Sequence, residues 1–124
     1  PRFGDEVSPP PRMDTIFGKI IRKEIPVKVV YEDDLCLCFH DVAPKAPTHV
    51  LLIPKKQIQS LQHTEAEDAA LLGHLMMKTR EIASLLGLHK GYRVVTNIGE
   101  WCGQSVSHLH FHIMGGRMME WPPG

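Results

Sequence analysis

The sequence has no excess of charge, no long apolar run and few cysteines. Its 14 Lys and Arg residues balance 14 Asp and Glu residues, so no net field draws it to nucleic acid or anionic lipid. No apolar run approaches the roughly 20 residues that span a bilayer, and the N-terminus lacks a secretory signal's apolar centre. The three cysteines are an odd number, which argues against a disulfide framework. We therefore expect a reducing, aqueous compartment, the cytoplasm with the nucleus also open, and neither nucleic acid nor membrane as a partner.

The familiar helix-based nucleotide motifs are also missing. Neither Gly-X-X-X-X-Gly-Lys-Ser/Thr nor Gly-X-Gly-X-X-Gly occurs in the chain. Residues 1–13 hold four of the ten prolines and little apolar content, which predicts a flexible arm. Residues 14–124 then form a single domain. The first residue is Pro1 rather than methionine, so we expect residues upstream, and organellar targeting stays open.

Hydrophobic periodicity predicts five short strands, one short helix and one long helix. The short helix is predicted from Thr15 to Lys23 with Asp14 as its cap, and the long helix from a capping box at Thr64 and Glu67 to Gly87. The strands are predicted over 27–31, 35–40, 49–54, 92–97 and 105–114. Hairpin-length links between most strands favour an α+β domain with a mostly antiparallel sheet.

Histidine is abundant, and three of the eight histidines alternate in one segment: His108, His110 and His112. Successive side chains of a strand point to opposite faces. The three imidazoles are therefore predicted to share one face, about 7 Å apart, while the apolar residues between them face the interior.

Three interpretations of this row compete. It could be a solvated strand face. It could bind zinc through two histidines at i and i+2, with further ligands from a second strand face, Cys36, Cys38 and His40. It could also carry covalent catalysis at phosphorus, in which a neutral imidazole attacks and its neighbours set its tautomer or protonate the leaving group. The loop from Gly99 to Ser105 favours catalysis, because its backbone N–H groups and serine hydroxyl can converge on a phosphate.

The segment from His108 to Met114 resembles the His-φ-His-φ-His-φ-φ signature of the histidine-triad (HIT) superfamily. Similarity to its Hint branch, the histidine-triad nucleotide-binding proteins with adenosine 5′-monophosphoramidase activity, extends over about residues 14 to 124. The matching segments are 14–21, 46–49, 103–106, 115–117 and 121–124. The resemblance implies a HIT-like fold, and a homodimer whose five-stranded sheets join into one ten-stranded sheet.

The resemblance also implies roles for individual residues. His110 is the nucleophile that forms a transient nucleotidyl-histidine, and water then releases AMP or GMP. The substrates implied are purine nucleoside phosphoramidates and aminoacyl-adenylates, with neither metal nor cofactor. His112 and Ser105 serve the α-phosphate and leaving group, while His108 and His49 form a supporting relay. The nucleotide-binding residues implied are Ile16, Phe17, Ile20, Phe39 and Val42 at the base, Asp41 at the ribose, Asn97, Gly103, Gln104 and Val106 near the phosphate, and Trp121, which docks near the active site of the partner subunit.

Some residues carry other interpretations or depart from the family. Asp41 could simply form a turn. The segment from Glu100 to Cys102 is bulkier than the family pattern, and Glu120 also departs from it. The preference among leaving groups therefore stays open. Related transferases carry glutamine where His112 stands, so the resemblance implies a hydrolase. The alternatives are a nucleotide-binding interaction protein with vestigial catalysis and a zinc-dependent protein. The other histidines are taken as surface or structural: His40, His63, His74 and His89.

Overall fold

The computed structural model describes residues 15–124; the predicted Pro-rich arm and the predicted cap Asp14 lie outside the described residues. The helices are α1 (Ile16–Ile21) and α2 (Ala69–Leu85). The strands are β1 (Val29–Glu32), β2 (Cys36–His40), β3 (Thr48–Pro54), β4 (Tyr92–Val95) and β5 (Phe111–Gly115). Neither helix is long and apolar enough to cross a bilayer, within the part of the chain that the structure describes.

The five strands form one sheet in the order β1-β2-β3-β5-β4, and every neighbouring pair is antiparallel. This confirms the predicted α+β fold with one short and one long helix. The exchange of β4 and β5 in the order places β5 inside the sheet, between β3 and β4. The segment carrying the three histidines therefore leads into an interior strand.

Alternate residues of the central strands feed two separate apolar clusters, one on each face of the sheet. On one face α2 packs Leu75 and Ile82 against Leu52 and Ile113. On the other face α1 contributes Phe17 and Ile20, which lie in one cluster with side chains of β2 and β3. Each buried leucine or isoleucine side chain contributes about 1.5 to 3 kcal/mol to folding. The two clusters therefore anchor both helices, and α1 covers the face that the histidines share.

The last strand is shorter than predicted. It was expected over 105–114, but pairing with β3 begins only at Phe111. Upstream of Phe111 the chain leaves the ladder, and the Leu109 N–H donates to the carbonyl of Ile58 at 2.7 Å. A partner in a distant loop thus replaces the strand partner, a long-range contact that local alternation does not predict.

The helix starts also differ from the predictions. The N-cap of α1 is Thr15, whose hydroxyl accepts from the Gly18 N–H at 3.0 Å. The capping box forms one residue further on than predicted and caps a 3₁₀ turn, Ala66–Asp68, that leads into α2; in it the carboxylate of Asp68 accepts from the Glu65 N–H at 2.8 Å. Thr64 instead donates its hydroxyl to Leu61, at the end of a preceding 3₁₀ turn. A short 3₁₀ turn before α2 accounts for the shift.

Asp33 ties the β1–β2 turn to α2. Its carboxylate accepts hydrogen bonds from the N–H groups of Leu35 and Cys36, from the Tyr31 hydroxyl and from Nε2 of His74. Burial alone would raise the pKa of Asp33, but the Tyr31, backbone and His74 hydrogen bonds outweigh it and hold the pKa well below its usual range. His74, predicted from the sequence to be a surface or structural histidine, therefore has a structural role.

Candidate active site

The three alternating histidines share one face, on which His108 and His110 are buried and His112 is half-buried. The exposed fraction is 0% for His108 and 4% for His110, so the solvated-face interpretation is wrong. The intervening Leu109 belongs to the cluster under α2. The alternation thus holds beyond the end of the strand. The rings of His110 and His112 lie 5.1 Å apart, closer than the spacing of their backbone positions.

Phe17 of α1 forms the wall against which these rings pack. Its ring lies edge-on to His110 at 5.0 Å and to His108 at 6.2 Å between centroids. It also packs edge-on against Phe39 of β2 at 5.7 Å. Contacts of this kind restrict ring rotation, since each aromatic pair adds about 0.5–1.5 kcal/mol beyond area burial. The short helix therefore holds His110 in one orientation.

The tautomer of His110 follows from its hydrogen bond. Nδ1 lies 2.7 Å from the backbone oxygen of His108, and a carbonyl oxygen only accepts, so Nδ1 carries the proton. In the neutral ring Nε2 then has a free lone pair. Backbone geometry is held as well, because the Thr96 hydroxyl donates to the His110 carbonyl at 2.8 Å. His110 is thus fixed in the form that a nitrogen nucleophile needs.

A second chain of hydrogen bonds fixes His112. The N–H of Lys45 donates to Nδ1 of His49 at 2.9 Å, which leaves the proton of the neutral His49 ring on Nε2. That Nε2 lies 2.9 Å from Nδ1 of His112 and donates to it. The proton of the neutral His112 ring is therefore on Nε2. The two neighbouring histidines present opposite groups, a lone pair on His110 and an N–H on His112.

The side chain of His108 lies outside this chain, which differs from the relay expected for it with His49. Its Nε2 donates to the carbonyl of Pro54 at 2.9 Å, and its Nδ1 has no partner among residues 15–124. His108 acts on the site through its backbone oxygen, which sets the tautomer of His110. The relay therefore joins His49 to His112.

Burial favours the uncharged form of His112, His108 and His49. It lowers the pKa of His112 to about 4, with further lowering from the neighbouring His110 and His49. Burial also lowers the pKa of His108 and of His49; for His49 the nearby Asp41 opposes the shift. A neutral imidazole keeps the lone pair or the N–H that its hydrogen bonds assign to it.

A cavity of about 270 Å³ opens onto His110 and His112. Its wall contains ten of the residues that the resemblance implied: Ile16, Phe17, Ile20, Phe39, Asp41, Val42, Ser105, Val106, His110 and His112. His49 lies behind His112 and is buried. The implied residues Asn97, Gly103, Gln104 and Trp121 do not line the cavity of the single chain.

Sequence reasoning missed part of this wall. Ile25, Pro26, Val27, His40 and Leu51 also line the cavity. Pro26 was read only as a helix stop and Val27 only as a strand residue, while His40 was taken as surface or structural. The segment after α1 carries no motif of its own, so its position over β2 is evident only in the fold.

The loop before the histidines is held by Gln104. Its side-chain oxygen accepts from the Gly99 N–H at 2.9 Å, and its amide donates to the carbonyls of Gln59 and Val106. Gly99 and Gly103 have φ of 86° and 82°, which glycine adopts without strain. The Gln104 side chain is thus occupied within the loop. Direct binding of a nucleotide by Gln104, Gly103 and Asn97 remains a prediction.

Asp41 forms a turn and faces the relay. Its Oδ1 accepts from the Ala43 N–H at 2.8 Å, as the turn interpretation expected, and its Oδ2 lies 3.4 Å from Nε2 of His49. Its contact with a ribose remains a prediction. Trp121 is exposed, with the Arg93 guanidinium 5.9 Å from its ring centre. Its docking on a partner subunit also remains a prediction.

The zinc interpretation loses the cysteine ligands it invoked. Cys36 and Cys38 lie in the cluster under α2, on the face opposite Phe17 and the histidine row. Donor atoms of Asp41, His49 and His112 do lie within 4.8 Å of one another. The facing nitrogens of His49 and His112, however, are engaged with each other in the relay. The residues present therefore fit a hydrogen-bonded chain better than a metal site.

In this antiparallel sheet, three alternating histidines lie at the start of an interior strand, and two of them, His110 and His112, face an apolar cavity, an arrangement that defines a histidine-triad protein. A family model described as the HIT domain matches residues 22–119, and the chain belongs to this family.

Curated relatives include uncharacterized HIT-like proteins of Synechococcus elongatus and of Synechocystis. Each is 60% identical over 111 residues, which cover 90% of this chain and 97% of the relative.

Two solved structures extend the comparison. A HIT family hydrolase from Legionella pneumophila is similar with TM-score 0.87 and 44% identity, covering 90% of this chain and 100% of that one. A histidine triad nucleotide-binding protein from Candida albicans is similar with TM-score 0.75 and 30% identity, covering 88% and 83%.

Proposed function

We propose that this protein is a Hint-type hydrolase that cleaves the P–N bond of purine nucleoside phosphoramidates, and aminoacyl-adenylates, through a nucleotidyl-His110 intermediate. The observation that carries the proposal is the opposite presentation of two neighbouring rings. His110 has a free lone pair because its Nδ1 proton is bonded to His108, and His112 has a free N–H because its Nδ1 accepts from His49. Attack on phosphorus needs the first group, and departure of an amine needs the second.

The first step can be written with its protons balanced. The Nε2 lone pair of His110 attacks the α-phosphorus, the P–N bond breaks, and its electron pair leaves with the nitrogen. That nitrogen takes the Nε2 proton of His112, whose ring then carries a negative charge, while the nucleotidyl-His110 ring, still protonated at Nδ1, carries a positive charge. Water then attacks the phosphorus, returns a proton to His112, and the nucleoside monophosphate leaves with His110 restored. No cofactor enters this balance.

The substrate class rests on the cavity wall. Apolar side chains such as Phe17, Phe39 and Val42 suit the faces of a purine ring, while Asp41 offers a carboxylate for ribose hydroxyls. The name of the Candida albicans relative includes nucleotide binding, and that of the Legionella pneumophila relative includes hydrolase. Both names support the proposed class for this chain.

We further propose a homodimer, with 14–124 as the folded unit. The strand β4 lies at one edge of the sheet, with Tyr92 and Val94 partly exposed. An edge strand of this kind can pair with a copy of itself and join two sheets. Trp121 would then lie near the second active site.

The test is the substitution His110→Ala, with His89→Ala as a matched control because His89 is exposed and outside the cavity. We expect His110→Ala to lower turnover of adenosine 5′-phosphoramidate by at least about 1,000-fold while AMP binding persists. His89→Ala should retain wild-type turnover. Full activity of His110→Ala would refute the proposal.

The second candidate is a nucleotide-binding interaction protein with vestigial catalysis, which the name of the Candida albicans relative also accommodates. Calorimetric binding of AMP without hydrolysis of any phosphoramidate by the wild-type protein would favour this candidate. Hydrolysis that depends on His110 would favour the enzyme.

A further inference from the structure

Arg117 links the end of β5 to the loop that carries the relay. One guanidinium nitrogen donates to the carbonyl of Lys45 and another to the carbonyl of Met118, each at 3.0 Å. The preceding Gly116 has φ of 95°, and a Cβ there would lie 2.9 Å from Cβ of Pro47. Only glycine lets the chain turn this close to the loop. The turn therefore delivers Arg117 to Lys45.

Lys45 is held at both of its backbone polar groups. Arg117 binds its carbonyl, and its own N–H donates to Nδ1 of His49. His49 in turn donates to Nδ1 of His112. Three hydrogen bonds, the first two joined through the backbone of Lys45, thus connect Arg117 to His49 and to the His112 ring that faces the cavity.

We propose that Arg117 is a positioning residue that holds the His49–His112 pair in the tautomer with an N–H on Nε2 of His112, an inference that rests on the proposed function. If the backbone around Lys45 moves when its carbonyl is released, the Lys45 N–H no longer donates to Nδ1 of His49, and that nitrogen can carry the proton instead. His49 Nε2 then accepts from Nδ1 of His112, and Nε2 of His112 presents a lone pair. His110 can still attack phosphorus, but a departing amine no longer finds a proton.

The inference predicts a defect that depends on the leaving group. An alkylamine phosphoramidate of AMP needs a proton on its departing nitrogen, whereas the p-nitrophenyl ester of AMP releases a stable anion. We expect Arg117→Ala to lower kcat by about five- to tenfold on the phosphoramidate, as loss of one hydrogen bond suggests, with little change in KM. On the ester we expect less than about a twofold change.

Two further variants sharpen the kinetic test. Arg117→Lys retains one cationic donor and should recover part of the lost kcat on the phosphoramidate. Arg80→Ala removes an exposed arginine of α2 that lies outside the cavity, and it should match wild type on both substrates. An equal loss on both substrates, or no loss on either, would overturn the positioning role.

A spectroscopic measurement tests the same role without turnover. Nitrogen-15 NMR of the imidazoles should place the wild-type His112 proton on Nε2 and the His110 proton on Nδ1. In Arg117→Ala the His112 nitrogens should move toward a mixture of tautomers, while the His110 nitrogens stay as in wild type.

An unchanged His112 spectrum would sink the inference even if activity fell. If the wild-type protein cleaved neither substrate, the proposed function would fail, yet the His112 spectrum would still decide whether Arg117 sets the tautomer.

Discussion

The free energy of unfolding should decrease as the pH is lowered, because the folded protein holds the His112 ring in its neutral form. An ordinary imidazole titrates near 6.5, while the pKa of His112 in the folded protein is about 4. Above pH 6.5 the ring is neutral in both folded and unfolded chains, so the folded state is not penalised. Between pH 6.5 and 4 the unfolded chain takes up a proton that the folded chain refuses. Stability is therefore lost as pH falls through this window.

The magnitude follows from the same two values. A fall from 6.5 to about 4 corresponds to about 3 kcal/mol, and partial contact of the ring with solvent reduces this to about 2 kcal/mol. His49 and His108 have lowered pKa values too, so the total loss is larger. A variant is needed to isolate His112.

The assay is urea unfolding of wild type and His112→Gln at pH 7 and pH 4.5. Wild type should lose about 2 kcal/mol more than the variant over this interval. The control is His63→Gln, at an exposed histidine that is hydrogen-bonded to Ser60. Its loss of unfolding free energy between the two pH values should equal that of wild type. Equal losses in wild type and His112→Gln would refute the claim that His112 is held neutral.

Two further predictions concern the aromatic wall and metals. Phe17→Ala removes a ring that is 6% exposed and packs on His110. It should lower the free energy of unfolding by about 3 kcal/mol, measured by urea unfolding, and weaken AMP binding, measured by calorimetry. Wild-type stability together with wild-type AMP affinity would contradict the packing argument. Chelator treatment should leave the proposed phosphoramidase activity unchanged, because His49 and His112 are hydrogen-bonded to each other; stoichiometric metal whose removal abolishes turnover would instead support the zinc interpretation.

The alternation of histidines and apolar residues correctly predicted that the three histidines share one face. The polar and apolar residues from His108 to Ile113 separate onto opposite faces even where no strand partner exists. Burial of the apolar members imposes that separation locally. The predicted start of the last strand was wrong because it depends on the carbonyl of Ile58, about fifty residues earlier in the chain, which binds the Leu109 N–H.

The relay could not be read from local patterns. His49 and His112 are 63 residues apart in sequence, and the resemblance alone suggested a role for His49. Lys45 acts through its backbone N–H, so its side-chain identity carries no signal. The predicted zinc ligands were wrong because they lie on the other face of the sheet. Strand alternation places Cys36 and Cys38 on one face, but it does not show which face the histidines occupy.

The central claim is that His110 is the nucleophile. The most direct measurement mixes the protein with adenosine 5′-phosphoramidate, quenches within milliseconds and determines peptide masses. An adenylyl group on the His110 peptide, absent from His110→Ala and formed before AMP accumulates, is the predicted result. AMP released with no protein adduct at any time, or an adduct on a different residue, would contradict the account.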